Sequence, residues 1–466
     1  MANLRYRVTG GLSRKQIEQM HEAALDLCRS AGLQVPHDGI RRRALQHAGV
    51  SERGEALLFS PELVEAALAQ MQYPPEMWKA DFQIVSGAYE LNVLDMGTDE
   101  IRPATLDDLR QLTKLQDALG FVGSAAVRPT DVPAPLQEIL EYKVTWENSR
   151  WISGTDYEAN EKSSLESAEV IYEMAQAAGK PFRLELWIKS PFRTAPRELD
   201  IIYRFLDRRP AMFAATMPIA GATAPVFWPG AYVQSMSELW SGVALLHALN
   251  PETPVQALVI DSIRAYPFDM KNASFVYGSP GDVLATLLQV QLNARYRIPV
   301  VAKSLLTNSC WPDGQAAAEK ASHTMAAALA GARIFTNAGL LAIDEIFSAE
   351  QAVIDAEIVE HCRAVCQPVR FDQDTLAVEA IKEVGVGGSF VSHDSTLDHW
   401  QETADRPVLF QRPSFSQWLQ AGKPSLRDRA RARARELIAN HTYSLPDDVQ
   451  RELDRILEHA RKKLAG

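Results

Sequence analysis

The first 120 residues show the apolar spacing of three to four residues that is typical of amphipathic helices. Three stretches open on residues that favour the N-cap of a helix, namely Ser13, Ser60 and Thr105. Residues 81–95 alternate loosely between apolar and polar side chains, which indicates a small hairpin. We therefore expect residues 1–120 to form an N-terminal helical cap.

From residue 121 onward, short apolar or β-branched runs alternate with longer amphipathic stretches. The runs predict strands at Phe121–Val127, Arg150–Ser153, Phe182–Trp187, Met212–Thr216, Val255–Ile260, Pro299–Lys303, Arg333–Asn337 and Val384–Val391. Eight strands that alternate with helices indicate a parallel sheet, and eight is the number that closes a (β/α)8 TIM barrel. A doubly wound open sheet would show the same alternation. We expect the barrel over residues 121–412 and a C-terminal helical extension over residues 413–466.

Composition excludes several classes of partner. The 48 basic and 59 acidic residues give a formal net charge of -11, which disfavours nucleic acid and anionic membranes. The chain shows neither an apolar signal segment at its start nor a run of about 18 apolar residues. Four cysteines in 466 residues are typical of a reducing compartment. The sequence therefore predicts a cytoplasmic protein.

Familiar catalytic motifs are missing from the sequence, among them a Walker loop, a His-Glu-x-x-His pair and a nucleophile elbow. His361, Cys362 and Cys366 share a predicted helix, but a fourth zinc ligand is not evident, so we expect no bound metal. His393 and His399 follow the last predicted strand, either as acid/base groups or as ordinary loop histidines. The sequence leaves that choice open.

Aromatic residues recur where the predicted strands end. They are Trp187, Phe227, Trp228, Tyr266, Tyr277 and Trp311. Active sites of barrel enzymes are built at the carboxyl ends of the strands. If these rings face one another, they form a cage for a quaternary ammonium group, since each ring contributes about 0.5–2 kcal/mol to binding a cation. For any single ring, packing in the core is the competing interpretation.

Several short motifs resemble the trimethylamine methyltransferase family and follow its order along nearly the whole chain. They include Leu12-Ser13-x-x-Gln16-Ile17, Gly97-x-x-x-x-Arg102-Pro103-Ala104-Thr105, Pro129-x-Asp131-Val132-Pro133, Gly221-Ala222-Thr223-Ala224-Pro225, Asp269-Met270-Lys271-x-x-Ser274, Asp313-x-Gln315-Ala316 and Val384-Gly385-x-Gly387-Gly388-x-Phe390. The resemblance implies a (β/α)8 barrel that moves a methyl group from a methylated amine to the Co(I) of a corrinoid carried by a separate protein. No corrinoid is expected in this chain, because it lacks the pattern Asp-x-His-x-x-Gly.

Members of this family that act on trimethylamine carry pyrrolysine in the loop after strand six. In this chain the matching loop, residues 305–313, contains only ordinary residues. Members without pyrrolysine include enzymes for quaternary amines such as glycine betaine, proline betaine and carnitine. A quaternary amine is already cationic, so it leaves as a neutral amine after losing a methyl group. The resemblance therefore implies a quaternary amine as the substrate, which the chain would have to position and shield from water.

The resemblance also suggests roles for individual residues. Asn308 and Trp311 would line the site that pyrrolysine occupies in relatives, and Asp131, Asp269 or Asp313 would attract the cation. Lys303 or Lys189 would hold a betaine carboxylate. Two alternatives stay open: a non-catalytic amine-binding barrel that regulates or scaffolds the corrinoid protein, and a metal-dependent lyase that uses His393, His399 and a carboxylate. The chain is also a possible homo-oligomer.

Overall fold

A computed structural model describes residues 11–87, 90–151, 156–157, 164–252, 255–257, 262–403 and 407–464. It shows a mixed α/β fold. The region up to residue 118 contains α1 (Arg14–Ser30), β1 (Leu33–Gln34), α2 (Asp38–Ala44), β2 (Val50–Arg53), β3 (Ala56–Phe59), α3 (Pro61–Ala69), α4 (Pro75–Trp78), β4 (Gln83–Ser86), β5 (Asn92–Leu94), β6 (Ile101–Pro103) and α5 (Leu106–Ala118).

The central region alternates strands and helices. It contains α6 (Gln137–Asn148), β7 (Asp156–Tyr157), α7 (Leu165–Ala177), β8 (Arg183–Ile188), α8 (Pro196–Phe205), β9 (Ala211–Thr216), α9 (Trp228–Leu249), β10 (Val255–Ala257), β11 (Phe268–Asp269), β12 (Ser274–Phe275), α10 (Pro280–Tyr296), β13 (Val301–Ala302), α11 (Gly314–Ala330), β14 (Ile334–Ala338), β15 (Leu340–Leu341), β16 (Ile346–Ser348) and α12 (Ala349–Val365). Short 3-10 helices lie at Ala134–Leu136 and Leu206–Arg208.

The elements described after α12 are helices joined by turns and loops. They are α13 (Gln373–Leu376), α14 (Val378–Val384), α15 (Asp394–Thr403), α16 (Phe415–Gln420), α17 (Leu426–Ala439) and α18 (Asp447–Leu464). The helices α17 and α18 pack on the preceding regions, with α17 against α5 and α12 and α18 against α7. Two arginines of α17, Arg427 and Arg431, pair with Asp99 and with the fully buried Glu350. These ion pairs hold the C-terminal helices on the body.

The parallel strands form two arcs within the described residues. One has the order β10-β9-β8-β7 and the other the order β13-β14-β4, and all neighbouring strands in both arcs are parallel. A parallel bridge from Val85 to Val122 extends the second arc. The helix α9 covers the first arc at Gly242, where a Cβ atom would lie 2.6 Å from Ile188 Cδ1 and 2.9 Å from the Ala214 Cβ. A side chain larger than hydrogen would therefore push α9 away from β8 and β9.

Two strand predictions were wrong. Residues 83–86 were expected within a hairpin of the cap, but they form β4, which pairs in parallel with β14. Residues 384–391 were expected to form the eighth strand, yet they lie at the end of α14 and in an exposed turn. The prediction depended on the apolar and glycine-rich composition of this stretch. In the structure these residues are exposed and do not pack in the core. The predicted strands at Arg150–Ser153 and Val255–Ile260 extend partly beyond the described residues.

The other predicted elements agree better with the structure. Strands occur near the runs that begin at Phe182, Met212, Pro299 and Arg333. The N-caps predicted at Ser13, Ser60 and Thr105 each accept a hydrogen bond from the backbone N–H of the third residue that follows. Local capping chemistry therefore predicted where these helices begin.

Candidate active site

Several charged and aromatic side chains gather beyond the carboxyl ends of the parallel strands. Lys303 follows directly on β13, Glu90 lies four residues after β4, and Tyr266 pairs with the segment that leaves β9 through a parallel bridge to Ile219. Lys303 and Glu90 are each 8% exposed and Tyr266 is fully buried. We call Glu90, Tyr266, Tyr277, Lys303 and Asn308 the mouth cluster. Its position is the end of the strands at which parallel α/β folds bind their ligands.

Two cations of the protein lie near the ring of Tyr266. The Lys303 Nζ is 5.3 Å from the ring centre and the Arg264 guanidinium is 4.9 Å away. Arg264 is itself fully buried, where it forms an ion pair with Asp282 and donates to the Thr286 hydroxyl at 2.8 Å. The buried pair fixes Arg264 behind the ring. Two cationic side chains therefore lie near Tyr266, and the charge of one of them, Arg264, is balanced by Asp282.

Residues 275–277, which we call the strap, supply the second ring of the cluster. Tyr277 meets Tyr266 edge-on, with 6.2 Å between ring centres, and stacks on Phe275 at 6.1 Å. Asn308 holds the strap from the facing loop: its Oδ1 accepts from the Tyr277 backbone N–H at 2.6 Å and its Nδ2 donates to the Phe275 carbonyl at 2.9 Å. Asn308 thus joins the loop of residues 305–313 to the aromatic pair.

The carboxyl group of Glu90 is a neutral acid at pH 7. Burial raises its pKa to about 9, and the nearby carboxylates of Asp344 and Glu345 act in the same direction, while Lys303 and Arg128 oppose the shift. Arg128 is paired with the buried Glu141 at 2.9 Å. A protonated carboxyl group donates a hydrogen bond and adds no negative charge. It therefore leaves the positive charge of the mouth cluster undiminished.

We expect replacement of Glu90 by glutamine to change how stability depends on pH. The folded chain keeps the Glu90 proton up to about pH 9, whereas the unfolded chain loses it near 4.5, so the free energy of unfolding falls as pH rises between these values. Glutamine does not titrate, so Glu90→Gln lacks this pH dependence. Between about pH 6.5 and about pH 7.5, the free energy of unfolding of wild type should therefore fall by up to about 1.4 kcal/mol more than that of the variant. Urea unfolding measures the difference. The control is Glu76→Gln at an exposed position, and equal pH slopes for wild type and Glu90→Gln would contradict the expected pKa.

The other aromatic rings of the predicted cage occupy different surroundings. Trp187 is half-buried on β8, and its neighbours Leu186 and Ile188 pack in the core. Because side chains alternate along a strand, the Trp187 ring faces the other side of the sheet. Trp228 packs against the same core at the start of α9, with its ring 6.3 Å from that of Tyr232. Phe227 is 79% exposed. The structure thus brings Tyr266 and Tyr277 together but gives no contact between them and these three rings.

Trp311 lies on the same loop as Asn308 but has a different partner. Its ring packs beside Leu341 and Ile346, and the Arg427 guanidinium of α17 lies 4.3 Å from the ring centre. A cation of the protein therefore already occupies a face of the indole ring. The predicted contact of Trp311 with a substrate stays a prediction.

The acidic candidates serve as helix caps or turn residues. Asp131 accepts from the Leu106 backbone N–H at the start of α5, and Asp313 caps α11. Asp269 accepts from the Lys271 backbone N–H, and this hydrogen bond, with others from Asn272, lowers its pKa. Lys189 is exposed beyond β8. The described contacts of Asp269 and Asp313 are local, and that of Asp131 ties its loop to the start of α5, so these carboxylates hold the backbone in place.

The two histidines that follow residue 390 lie on the C-terminal helical segment. His393 interacts with Glu383 at 3.5 Å and with Ser395 at 2.8 Å, and His399 is exposed on α15. That segment begins after α12, which ends beside the start of β4, as the ion pair of Arg363 with Asp81 shows. It leaves the body at the amino-terminal ends of the strands, opposite the mouth cluster.

Metal-ligating side chains do not cluster in the part of the chain that the structure describes: no group of three His, Cys, Asp or Glu is placed to hold an ion. Cys362 is buried, which raises the pKa of its thiol to about 12, and His361 lies against the ring of Phe410. A thiol with this pKa is protonated at neutral pH and is a poor zinc ligand.

Sequence reasoning missed Glu90, Arg264 and Asp282. A signal for Glu90 was present, because the apolar residues Phe82, Ile84 and Val85 form a short strand-like stretch that Gly87 ends. Reading this run as a strand would have placed Glu90 beyond its carboxyl end. The Arg264–Asp282 pair gave no comparable signal, since two charged residues 18 positions apart are usually solvated.

Comparisons with known proteins agree with one another. A family model described as trimethylamine methyltransferase (MTTB) matches residues 4–465. The glycine betaine methyltransferase of Desulfitobacterium hafniense (strain Y51) is 24% identical over 473 aligned positions, which cover 96% of this chain and 95% of that protein. The trimethylamine methyltransferase MttB1 of Methanosarcina acetivorans is 28% identical over 293 residues, which are 62% of this chain and 58% of that protein. The chain therefore matches little more than half the length of that relative.

Solved structures show weaker likeness. The monomethylamine methyltransferase MtmB of Methanosarcina barkeri superposes with a TM-score of 0.44 at 10% identity, covering 97% of this chain and 92% of that one. A hydroxylamine complex of MtmB gives a TM-score of 0.47 at 10% identity, covering 96% and 86%. Among the helices of the described ranges, none is long and apolar enough to cross a bilayer.

Proposed function

Because the chain belongs to the trimethylamine methyltransferase family, we propose that it moves a methyl group from a quaternary amine to the Co(I) of a corrinoid carried by a separate protein. The observation that carries the proposal is the loop of residues 305–313, which contains ordinary residues where relatives that act on trimethylamine have pyrrolysine. The similarity to a glycine betaine methyltransferase over 96% of the chain supports the same substrate class.

The proposed reaction needs no proton transfer. The C–N bond of the substrate breaks, its electron pair stays on nitrogen, and the methyl carbon forms a bond with the Co(I) acceptor, which is oxidised to Co(III). The cationic nitrogen thereby becomes a neutral amine. The chain's own residues have to bind the substrate, orient one N–CH3 bond towards the acceptor and exclude water. Buried aromatic rings and a neutral Glu90 suit such a site.

The mouth cluster suits a zwitterion better than a simple cation. Lys303 places positive charge near Tyr266, the charge of Arg264 is balanced by Asp282, and Glu90 adds no negative charge at neutral pH. On our proposal the carboxylate of a betaine pairs with Lys303, and its ammonium group lies against the ring of Tyr277, because Lys303 and Arg264 already lie near the ring of Tyr266. Charge-assisted hydrogen bonds to a carboxylate are short and strong, so Lys303 selects betaines over amines without a carboxylate.

The same proposal extends to the architecture. We propose that the two parallel arcs belong to one (β/α)8 barrel that begins at β4 and ends at β14, with helices preceding and following it. The bridge from Val85 to Val122 supports this order, because it links the β4 arc to the segment that leads towards β7. In such a barrel the mouth cluster lies at the usual position of the active site.

Proton NMR of glycine betaine incubated with the full chain tests the proposal. We expect dimethylglycine to form in proportion to added cob(I)alamin and not to form without it. Release of trimethylamine from carnitine without the acceptor would point to the lyase alternative, because an elimination breaks a C–N bond beside a carbon that carries hydrogen. Binding of the betaine without demethylation, in the presence of a corrinoid reduced to Co(I), would point to the non-catalytic alternative.

We also expect the activity to be independent of added or bound metal ions other than the cobalt of the acceptor. A substrate that already carries positive charge gains nothing from a Lewis acid, and Cys362 is held as a thiol. Prior dialysis of the protein against a chelator should leave the rate unchanged, and elemental analysis should find less than stoichiometric zinc. A loss of activity that zinc restores would overturn this expectation.

A further inference from the structure

The carboxyl group of Glu90 is a buried polar group that the proposed reaction does not use. Glu90 is 8% exposed, and its carboxyl group has no hydrogen-bond or ion-pair partner within the described residues. Burying a polar group without a hydrogen bond destabilises a protein, so such groups are rare and need an explanation. At the carboxyl ends of parallel strands, a bound ligand is such an explanation.

The backbone of Glu90 fixes the place from which its side chain extends. Its N–H donates to the Ala126 carbonyl at 3.3 Å, and its carbonyl accepts from the Arg128 N–H at 2.8 Å, as in a parallel pair of strands. Lys303 follows directly on β13, and both β13 and β4 pair with β14. Glu90 and Lys303 therefore leave the sheet on either side of one strand, beyond the same end of it.

Four charged side chains act on the carboxyl group of Glu90. Asp344 and Glu345, on the turn between β15 and β16, oppose a negative charge there, whereas Lys303 and Arg128 favour one. Burial adds to the effect of the two carboxylates and raises the pKa of Glu90 to about 9. The group is therefore protonated at neutral pH and is able to donate a hydrogen bond.

Such a donor matches only one end of a betaine. A quaternary ammonium group has neither an N–H nor a lone pair, so it cannot form a hydrogen bond with a carboxyl group. The carboxylate of a betaine is an acceptor, and hydrogen bonds from O–H to an ionised oxygen are among the short and strong ones. The carboxylate is also the end that Lys303 binds on the proposed function.

We propose that the Glu90 carboxyl group donates a hydrogen bond to the carboxylate of the substrate, beside the contact that Lys303 makes with it. The inference rests on the proposed function and adds a second residue that recognises the carboxylate. Glu90 then favours betaines over amines without a carboxylate. Once ionised, it repels the substrate carboxylate and attracts a cationic amine.

Calorimetric titration of wild type with glycine betaine and with choline, from about pH 7 to about pH 10, tests the proposal. We expect the dissociation constant of glycine betaine to rise by up to about tenfold per pH unit above about pH 9, because binding requires the proton of Glu90. The dissociation constant of choline should fall over the same range, since the ionised group attracts its ammonium group. Parallel trends for the two ligands would overturn the proposal.

Two variants separate Glu90 from the titration of Lys303. Glu90→Gln keeps a donor that does not titrate, so its dissociation constant for glycine betaine should stay within about threefold of wild type at neutral pH and rise less above pH 9. Lys303 is unchanged in this variant, so the difference from wild type isolates Glu90. Glu90→Met lacks a donor and should bind glycine betaine roughly 10- to 100-fold more weakly at neutral pH, with choline binding unchanged.

The exposed Glu76→Gln is the control and should follow wild type at every pH. A Glu90→Met variant that binds glycine betaine as tightly as wild type would overturn the proposal, as would a Glu90→Gln variant with the pH dependence of wild type. These titrations measure binding and do not require turnover. Binding with the expected pH dependence but without methyl transfer would therefore overturn the proposed reaction alone, whereas absence of glycine betaine binding by wild type would overturn both.

Discussion

Replacement of Asp355 by alanine is expected to destabilise the chain by about 3–5 kcal/mol. Asp355 and Lys320 are both fully buried and lie 2.8 Å apart. Asp355 also accepts from the Gly339 backbone N–H at 2.7 Å and from Gln351 Nε2 at 2.8 Å. The alanine variant therefore leaves a buried ammonium group without its counter-charge, which is the most costly way to break such a pair. Urea unfolding at neutral pH measures the loss.

A double replacement and an exposed pair provide the controls. Lys320→Met/Asp355→Leu removes both charges, so it should cost less than the single change. Arg455 and Glu452 form an exposed ion pair at 2.7 Å, and Glu452→Ala should cost less than about 1 kcal/mol. A single variant at Asp355 that is as stable as wild type would show that the pair is not buried as described.

Replacement of Lys303 by methionine is expected to weaken the binding of glycine betaine roughly 10- to 100-fold. The charged hydrogen bond proposed between Lys303 and the substrate carboxylate is lost, and methionine fills similar space without charge. Lys303 is only 8% exposed, so water replaces the lost contact poorly. Calorimetric titration of wild type and variant with glycine betaine measures the change in dissociation constant.

Choline separates a carboxylate contact from general damage to the site, because it carries the same trimethylammonium group without a carboxylate. Its affinity should stay the same or improve in Lys303→Met, since a positive charge has been removed from the site. Lys303→Arg keeps the charge and should retain part of the betaine affinity. Equal losses for choline and glycine betaine would show that Lys303 has a structural role and does not recognise the carboxylate.

Local signals were sufficient to predict many elements of the fold. Ser13, Ser60 and Thr105, which the sequence indicated as N-caps, each cap the start of a helix. Capping and helical periodicity depend on neighbours within one turn, so they can be read from a short window. The strands near Phe182, Met212, Pro299 and Arg333 were also predicted, because short apolar runs can be recognised within a few residues.

Pairing over long distances could not be predicted in this way. The half-buried run of β4 looks like a hairpin strand until its partner, β14, is known, about 250 positions later. The run after Val384 is apolar, as a core strand would be, but it lies in an exposed turn after α14. Apolar composition alone therefore does not show which segments the core buries.

The candidate site was predicted in part. The sequence indicated Tyr266, Tyr277, Lys303 and Asn308, and the structure brings them to the carboxyl ends of the strands. It did not indicate that Arg264 and Lys303 would flank Tyr266 or that Glu90 would be neutral. Those features depend on burial and on charges from distant segments, which no local pattern encodes.

The rate of methyl transfer to free cob(I)alamin, followed by its absorption spectrum, tests the central claim most directly. The full chain should consume cob(I)alamin with glycine betaine or another betaine, and the rate should stay at background with trimethylamine. The reason is that residues 305–313 provide no pyrrolysine to activate a tertiary amine. Transfer from trimethylamine at a rate equal to that of every quaternary amine tested would contradict the account.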